Sequence, residues 1–143
     1  MEFPFEAKLL NETDTIMAAK NFSSYLAPGD VVLLNGNLGA GKTFFVKYVC
    51  KEYAIENVSS PSFAIINEYI NSKKIYHFDF YRIQKETELY DIGIEEYLGD
   101  KEAIVFIEWA QLWEEILHRK SYIVNIELNG IDERIIRIIK CQN

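Results

Sequence analysis

The segment Gly36–Thr43 constrains the fold of this chain more than any other stretch of its sequence. It reads GNLGAGKT and matches G-x-x-x-x-G-K-[ST], the pattern of a phosphate-binding loop, at every fixed position. The apolar run Val31–Leu34 precedes it, as expected for a strand buried on both faces. After it, Phe44–Lys51 carries Lys47 and Lys51 four residues apart in an otherwise apolar stretch, which is typical of a core-facing helix. Strand, glycine loop and helix in this order predict a site for nucleotide phosphates.

The residue types of this loop suit the binding of a phosphate chain. Glycines let the backbone approach phosphate oxygens closely and adopt positive φ. The backbone N–H groups then point at the anion, at the positive end of the following helix dipole. Lys42 supplies a positive charge for the β- and γ-phosphates, and the Thr43 hydroxyl is a hard-oxygen ligand for Mg²⁺. A glycine-rich turn with an incidental lysine would not account for the strand and the helix on either side.

The composition favours one domain over residues 1–143. Of the 143 residues, 49% are hydrophobic and 14% are aromatic, so the chain is long and apolar enough to bury a core. No apolar run approaches the roughly 20 residues of a membrane helix, and the N-terminus lacks the pattern of a signal peptide. Cys50 and Cys141 form no C-x-x-C pair. We therefore expect no membrane partner and no disulfide or cysteine metal site, and a reducing, cytoplasmic location.

The net charge of −7 bears on possible nucleic-acid partners. Proteins that hold nucleic acid by its phosphates usually present a basic stripe. In this sequence the basic residues are scattered, and Lys73-Lys74 and Arg119-Lys120 are the only adjacent basic pairs. We therefore expect no autonomous nucleic-acid binding and no DNA partner. If RNA is the eventual substrate, a partner protein is expected to supply most of the contact.

The rest of the sequence predicts an α/β domain with a mixed sheet, which has a parallel core, antiparallel hairpins and helices on both faces. The predicted strands are Phe5–Leu9, Val31–Leu34, Phe63–Ile70, Ile75–Phe80, Ala103–Ile107, Tyr122–Leu128 and Arg134–Lys140. One helix is predicted after Asn11 or Thr13, another after the glycine loop, two short ones within Lys85–Leu98 on either side of Gly93, and a last one over Ala110–His118. A polar turn before Ile75 and the pair Asn129-Gly130 close two hairpins.

Two carboxylates are predicted at the edge of the sheet where the glycine loop lies. Asp79 stands near the end of the strand Ile75–Phe80, and Glu108 directly follows Ala103–Ile107. In doubly wound sheets, ligands gather at the carboxyl ends of the strands. We therefore expect one or both carboxylates to hold Mg²⁺, directly or through water, and one of them to orient an attacking water. Together with Lys42 they are the predicted catalytic residues, while an ordinary helix cap or salt bridge is the alternative role for each.

A further group of residues is predicted to respond to the nucleotide or to contact a partner. Ser60–Ser62 is a break made rigid by proline and bearing two hydroxyls, and Ser62 would approach the γ-phosphate or Mg²⁺ when triphosphate is bound. His77, Tyr81 and Arg82 join it as switch or partner contacts. An ordinary turn at Ser62, a structural role for His77 and a surface salt bridge for Arg82 are the alternatives that the sequence leaves open.

Four ordered motifs together resemble the TsaE (YjeE) family. They are Leu38–Thr43, Ser60–Phe63, His77–Arg82 and Ile107–Trp109, and the resemblance covers nearly the whole chain. It implies a bacterial ATPase required for making threonylcarbamoyladenosine in tRNAs that read codons beginning with A. Such proteins hydrolyse ATP poorly alone and act on a partner heterodimer, TsaB–TsaD, whose TsaD subunit transfers the threonylcarbamoyl group to the tRNA adenosine. The implied cofactors are ATP and Mg²⁺, and tRNA is reached through the partner proteins.

The resemblance also implies roles for individual residues. Lys42 matches the phosphate-binding lysine and Thr43 matches the Mg²⁺ ligand. Glu108 matches the second metal-site residue, and Asp79 matches a nearby acid that acts through water. Trp109 matches a tryptophan beside the nucleotide. The implied nucleotide-binding set is Glu12, Thr15, Asn37, Leu38, Gly39, Ala40, Gly41, Lys42, Thr43, Phe44 and Trp109.

Three positions depart from the residues that are usual in that family. Ser62 stands where threonine is usual, which keeps the hydroxyl. Asn37 replaces a frequent aspartate and so removes a negative charge from the edge of the loop. Phe44 replaces a frequent second threonine and removes a hydroxyl near the α-phosphate, although its backbone amide can still donate. We expect the change at Phe44 to affect the affinity for nucleotide more than the ability to bind it.

Other functions are compatible with a phosphate loop. A small-molecule kinase would need an arginine-rich lid over its acceptor, whereas this chain has four arginines and no cluster of them. A nucleotide-dependent binding module, in which ATP changes a surface and hydrolysis is incidental, overlaps with the ATPase interpretation. A GTPase is disfavoured because the chain contains no Asn-Lys-x-Asp sequence.

Overall fold

Within residues 1–141, the part of the chain that the computed structural model describes, there are seven strands and four helices. The strands are β1 Phe5–Leu9, β2 Val31–Asn35, β3 Ile66–Ile70, β4 Lys74–Asp79, β5 Ala103–Glu108, β6 Tyr122–Asn129 and β7 Glu133–Lys140. The helices are α1 Glu12–Ser23, α2 Lys42–Lys51, α3 Glu86–Asp91 and α4 Ile94–Leu98. All of these strands belong to one sheet with the order β1-β7-β6-β2-β5-β4-β3.

The centre of the sheet is parallel and its two edges are antiparallel. β2 pairs in parallel with β5 and β6, and β4 pairs in parallel with β5. β3 is antiparallel to β4, and β7 is antiparallel to both β6 and β1. The apolar runs of β2 and β5 are buried because helices cover both faces of the sheet. The predicted mixed sheet, with its parallel core and antiparallel hairpins, is confirmed.

Alternate residues of β2 enter two separate hydrophobic clusters, one on each face of the sheet. Val32 and Leu34 belong to the cluster that includes the apolar residues of α1 and α2. Val31 and Leu33 belong to the cluster that includes those of α3 and α4. The two short helices are separated at Gly93, whose φ of 75° lies in the left-handed region, so the predicted break is confirmed. Helices on both faces are confirmed as well.

A local cap determines where helix α1 begins. The Asn11 side chain accepts a hydrogen bond of 2.9 Å from the backbone N–H of Asp14, which satisfies one free donor of the first turn. The Asp14 carboxylate in turn accepts from the backbone N–H of Leu10 at 2.9 Å. Asn11, the first of the two predicted starts, is therefore the cap, and the first turn of α1 carries Glu12 and Thr15.

The helix predicted over Ala110–His118 is wrong, because this segment is a series of turns. Its backbone hydrogen bonds span two, three or four residues, as from Trp113 N–H to the Ala110 carbonyl, and do not repeat at the helical spacing of four. Leu112 is 81% exposed, while Leu117 reaches the core. A helix of this length is stable in water only when it buries an apolar stripe. The segment Ala110–His118 buries too few side chains to form such a stripe.

The start of β3 and the turn of the C-terminal hairpin also differ from the prediction. The strand predicted from Phe63 begins at Ile66, because Ile65 has a φ of 71° and its N–H bonds to the Pro61 carbonyl at 2.6 Å in a turn. In the C-terminal hairpin the pairing extends to Asn129 opposite Glu133, so the turn comprises residues 130–132 rather than an Asn-Gly pair. A turn of this length is common in hairpins when glycine occupies a left-handed position, as Gly130 does here with a φ of 86°.

Candidate nucleotide-binding site

The loop between β2 and α2 has the backbone of an anion nest. A Cβ on Gly36 would lie 2.3 Å from the Ile126 carbonyl oxygen on β6, so only glycine fits at this entrance. Gly41, with a φ of 104°, precedes α2 in the left-handed region, and the start of α2 has no side-chain cap. The first N–H groups of α2 are therefore free to bind an anion from outside the helix.

Lys42 lies beneath this loop and is held by the loop itself. It is 5% exposed, and its ammonium donates to the carbonyls of Gly36 and Asn37, the latter at 3.1 Å. The ammonium also lies 4.0 Å from the centre of the Trp109 ring. Burial lowers the pKa of Lys42 from its ordinary value, and the nearby Glu108 and Asp79 carboxylates partly oppose that shift. An incoming phosphate would offer this charge a partner better than neutral carbonyls.

Glu108, the last residue of β5, stands opposite Thr43 and is fixed from two sides. The Thr43 hydroxyl oxygen lies 2.9 and 2.8 Å from its two carboxylate oxygens. The Nε2 atom of His77, on the neighbouring strand β4, lies 2.5 Å from one of the same oxygens. Glu108 is 3% exposed and His77 is fully buried. The carboxylate is therefore pre-oriented beside the first turn of α2.

Asp79, the last residue of β4, lies opposite Glu108 in the register of the two parallel strands. One of its carboxylate oxygens accepts from the hydroxyls of Ser62 at 3.0 Å and Ser60 at 3.3 Å. The other accepts from the backbone N–H of Tyr81 at 2.9 Å. The turn that contains Ser60 and Ser62 is thereby tied to the carboxyl end of the sheet.

The donor atoms at this place suit Mg²⁺. Among residues 1–141 no three side chains of His, Cys, Asp and Glu are grouped as a metal site made by the protein alone. Mg²⁺, however, usually takes one or two carboxylates and completes its shell with phosphate oxygens and water. The Thr43 hydroxyl, Glu108 and Asp79 supply hard oxygens of that kind beside the phosphate loop. These residues therefore fit the ion.

A cleft of about 440 Å³ lies over the loop and collects most of the predicted residues. It is lined by Leu38, Gly39, Gly41, Lys42, Thr43, Phe44, Ser60, Ser62, Phe63, Asp79, Tyr81, Arg82, Glu108 and Trp109. The Ala40 side chain is fully buried within the loop, and Asn37 lines a different depression beside Asn35. The structure thus brings both carboxylates, the lysine and the threonine into one space.

Glu12 and Thr15 lie in a second cleft, of about 580 Å³, on the α1 side of the loop. Gly41 and Phe44 line both clefts. The second cleft therefore adjoins the first at the start of α2. Apolar and polar side chains are mixed in its wall, as is usual for a site that takes a nucleobase and a sugar.

The residues predicted as switch or partner contacts separate into three environments. Tyr81 is exposed and its ring packs 4.9 Å from that of Trp109. Arg82 lies over the ring of Phe63 at 4.4 Å and forms no salt bridge within the described part of the chain. His77 is completely buried, so a direct partner contact by this side chain is also wrong. The register of β3, β4 and β5 places it inside the sheet beside Glu108.

Arg134, the second residue of β7, contacts the glycine loop and was not among the predicted site residues. Its Nε atom donates to the Ala40 carbonyl at 2.9 Å and its Nη2 atom to the Gly39 carbonyl at 3.2 Å. No motif marks this arginine, because its contact depends on where the hairpin lies against the loop. The contact of the Ser60 hydroxyl with Asp79 was likewise not predicted.

The protein has a strand, a glycine nest and a helix in succession, and carboxylates stand at the ends of neighbouring parallel strands. These features define an α/β protein of the P-loop NTPase-like class. The comparison with protein families narrows this class. The model of the family described as "Threonylcarbamoyl adenosine biosynthesis protein TsaE" matches residues 9–136. The chain belongs to the TsaE family, whose members take part in the biosynthesis of tRNA threonylcarbamoyladenosine.

Curated relatives from distant bacteria carry the same description, tRNA threonylcarbamoyladenosine biosynthesis protein TsaE. The relative from Rickettsia felis is 39% identical over 92% of this chain and 77% of its own length. That from Bacillus subtilis is 39% identical over 89% of this chain and 80% of its own length. That from Aquifex aeolicus is 35% identical over 98% of this chain and 99% of its own length. The resemblance inferred from four motifs is therefore confirmed.

The fold is similar to that of a solved structure. The crystal structure of Bacillus subtilis YdiB superposes with a TM-score of 0.77 at 30% identity, covering 96% of this chain and 86% of the other. Within residues 1–141 no helix has the length and apolar character needed to cross a membrane.

Proposed function

We propose that this protein is a Mg²⁺-dependent ATP-binding and ATP-hydrolysing subunit. In this proposal it supports the transfer of a threonylcarbamoyl group to tRNA adenosine by a partner complex similar to TsaB–TsaD. The observation that carries the proposal is the convergence of Thr43, Glu108 and Asp79 beside the glycine loop, in one cleft with Lys42. A phosphate nest alone would bind an anion, whereas the added carboxylates suit a metal-assisted hydrolysis.

The first part of the mechanism is the capture of the triphosphate. The N–H groups of the loop and of the first turn of α2 donate to phosphate oxygens, aided by the helix dipole. Lys42 leaves the carbonyls of Gly36 and Asn37 and donates to the β- and γ-phosphates. The adenosine lies in the second cleft, near Glu12 and Thr15 and against Phe44. Binding thus distributes the nucleotide over both sides of the loop.

The second part is the attack of water on the γ-phosphate. When bound, Mg²⁺ would supply positive charge that offsets the negative charge developing on the phosphate. Thr43 and Glu108 would hold the metal ion, and His77 keeps Glu108 in place. One of the carboxylates, Asp79 or Glu108, orients the water. The oxygen of the water forms the new bond to phosphorus while the bond from phosphorus to the bridging oxygen breaks. ADP leaves with that bridging oxygen, and the protons of the water leave with the inorganic phosphate.

The surface charge is consistent with action through partner proteins. A net charge of −7 gives the chain little attraction for the tRNA backbone. Exposed apolar side chains surround the mouth of the phosphate cleft, namely Leu38, Phe63 and Tyr81. We propose that partner proteins reach the tRNA and that this chain responds to them through its nucleotide.

Single-turnover ATP hydrolysis tests the proposal. We expect wild-type protein to bind ATP with Mg²⁺, to hydrolyse it slowly alone, and to do so faster with the partner heterodimer. Lys42→Ala should abolish binding, because the buried charge and its phosphate contacts are lost. Lys47→Ala, an exposed lysine on the same helix, is the matched control and should bind as wild type. A wild-type protein without measurable affinity for ATP would refute the proposal.

A nucleotide-dependent binding module is the second candidate. Leu38 and Phe63, which are 74% and 87% exposed, line the cleft over the phosphate loop rather than a remote face. A bound nucleotide would therefore change this surface whether or not it is hydrolysed. A hydrolysis rate that the partner heterodimer does not alter, together with nucleotide-dependent binding to it, would favour this function over the first.

A further inference from the structure

Arg134 reaches the glycine loop from the far end of the chain. Its Nε atom donates to the Ala40 carbonyl at 2.9 Å, and its Nη2 atom donates to the Gly39 carbonyl at 3.2 Å. A Cβ built on Gly41 would lie 3.6 Å from the same Nε atom, so the guanidinium also packs against the last glycine of the loop. Two adjacent carbonyls of the nest are thus held by one side chain.

The position of Arg134 is determined by the sheet rather than by the loop. On β7 it lies between Leu9 of β1 and Leu128 of β6 in the strand register. A strand paired on both sides has little freedom to move, so the guanidinium approaches from a rigid support. The side chain is half-buried, and its planar fork matches two neighbouring acceptors with little further loss of freedom.

The chemistry of the peptide group relates these carbonyls to phosphate binding. In a trans peptide, the C=O of one residue and the N–H of the next point in opposite directions. Holding the Ala40 carbonyl outward therefore directs the Gly41 N–H toward the inside of the nest. A permanent positive charge on the carbonyl side also polarises that peptide and strengthens its N–H as a donor. Arg134 is thus placed to orient the nest from its carbonyl side, and it also forms part of the wall of the second cleft.

We propose that Arg134 is a positioning residue for the nucleotide phosphates. It acts through the Gly39 and Ala40 carbonyls, and it couples the β6–β7 hairpin to the nucleotide site. This inference rests on the proposed nucleotide-binding function. The free loop is held in its binding conformation by the guanidinium, so nucleotide binding requires less ordering of the backbone.

Hydrogen exchange and ATP titration of Arg134→Gln test this inference together. We expect faster amide exchange across Gly36–Thr43 in the nucleotide-free variant, with unchanged exchange in β5. We also expect ATP affinity to fall about tenfold, the size of effect that about 1.4 kcal/mol of lost interaction produces. Arg134→Lys keeps the positive charge but loses the planar guanidinium. Its exchange rate and its ATP affinity should fall between those of Arg134→Gln and wild type. Arg137→Gln, an exposed arginine on the same strand, is the control and should leave both unchanged.

Each other outcome has a definite meaning. Unchanged loop exchange with weakened ATP binding would show direct contact with the nucleotide and overturn the positioning role. Faster exchange with unchanged ATP affinity would overturn the link to phosphate binding. If Arg134→Gln does not fold, as judged by circular dichroism, Arg134→Lys decides by the same criteria. If the wild-type protein binds no ATP, the proposed function fails, while the exchange measurement still shows whether Arg134 holds the loop.

Discussion

The hydroxyl of Thr43 lies 2.8 and 2.9 Å from the two carboxylate oxygens of Glu108, although 65 residues separate them in the chain. Thr43 belongs to the first turn of the helix after the glycine loop, and Glu108 ends a buried parallel strand. β2 and β5 are direct neighbours in the sheet, and this adjacency brings the two side chains together. The pair joins the phosphate nest to the carboxylates and underlies the following predictions.

Replacement of Glu108 should separate nucleotide binding from hydrolysis. We expect Glu108→Gln to retain ATP binding and to reduce single-turnover hydrolysis by about a hundredfold or more, as is common when a carboxylate that serves the reacting water or its metal is lost. Asp79→Asn should be measured beside it, and the variant with the larger loss identifies the carboxylate that orients water. Glu6→Gln, exposed on the edge strand β1, is the control. Unaltered hydrolysis in Glu108→Gln would remove Glu108 from the mechanism.

His77 should act on the reaction only through Glu108. We expect His77→Phe to slow hydrolysis about tenfold while ATP binding changes little, because the carboxylate loses a buried hydrogen-bond partner and its fixed orientation. In the background of Glu108→Gln the same substitution should cost much less activity, and a double-mutant cycle measures this coupling. Full additivity of the two losses would contradict the positioning role of His77.

Trp109 should report the arrival of nucleotide by its fluorescence. Its ring contacts the Lys42 ammonium at 4.0 Å and the Tyr81 ring at 4.9 Å, and both neighbours line the phosphate cleft. When Lys42 turns to the phosphates, the environment of the indole changes. In Trp113→Phe, where Trp109 is the remaining tryptophan, ATP should change the emission saturably. In Trp109→Phe the change should be lost, and its persistence would place the nucleotide away from Trp109.

Cys50 should make stability fall at alkaline pH. Burial among apolar side chains raises the pKa of its thiol from 9.0 to about 12. Between these two values the unfolded chain loses the proton while the folded chain keeps it, so the free energy of unfolding decreases as pH rises. The slope from this residue is about 1.4 kcal/mol per pH unit at most. Urea unfolding at several pH values should show a smaller slope for Cys50→Ala, and an equal slope would contradict the prediction.

Much of the fold follows from local sequence patterns. The apolar run before Gly36 and the helical spacing after Thr43 predict the strand and the helix of the phosphate loop, and both are present. The hairpin at Gly130 and the break at Gly93 are also present, because glycine permits left-handed backbone at both places. The helix predicted over Ala110–His118 is absent, because a short apolar stretch carries no information about which side chains find a core.

Part of the candidate site could likewise be predicted from the sequence, and part could not. Lys42 and Thr43 are recognisable because the loop chemistry is contained in eight consecutive residues, and the carboxylates because each ends an apolar strand. The other contacts of the site join residues that lie far apart in the chain. His77 and Glu108 are 31 positions apart, Ser62 and Asp79 are 17 apart, and Arg134 and Ala40 are 94 apart.

The sequence by itself therefore determined the phosphate loop, the mixed α/β class and the family, because glycine, charge and apolar spacing act over a few residues. Only the tertiary structure decided which side chains hold Glu108, Asp79 and the loop in place. Those contacts depend on the order and register of the strands, and strand order is set by the packing of the whole core.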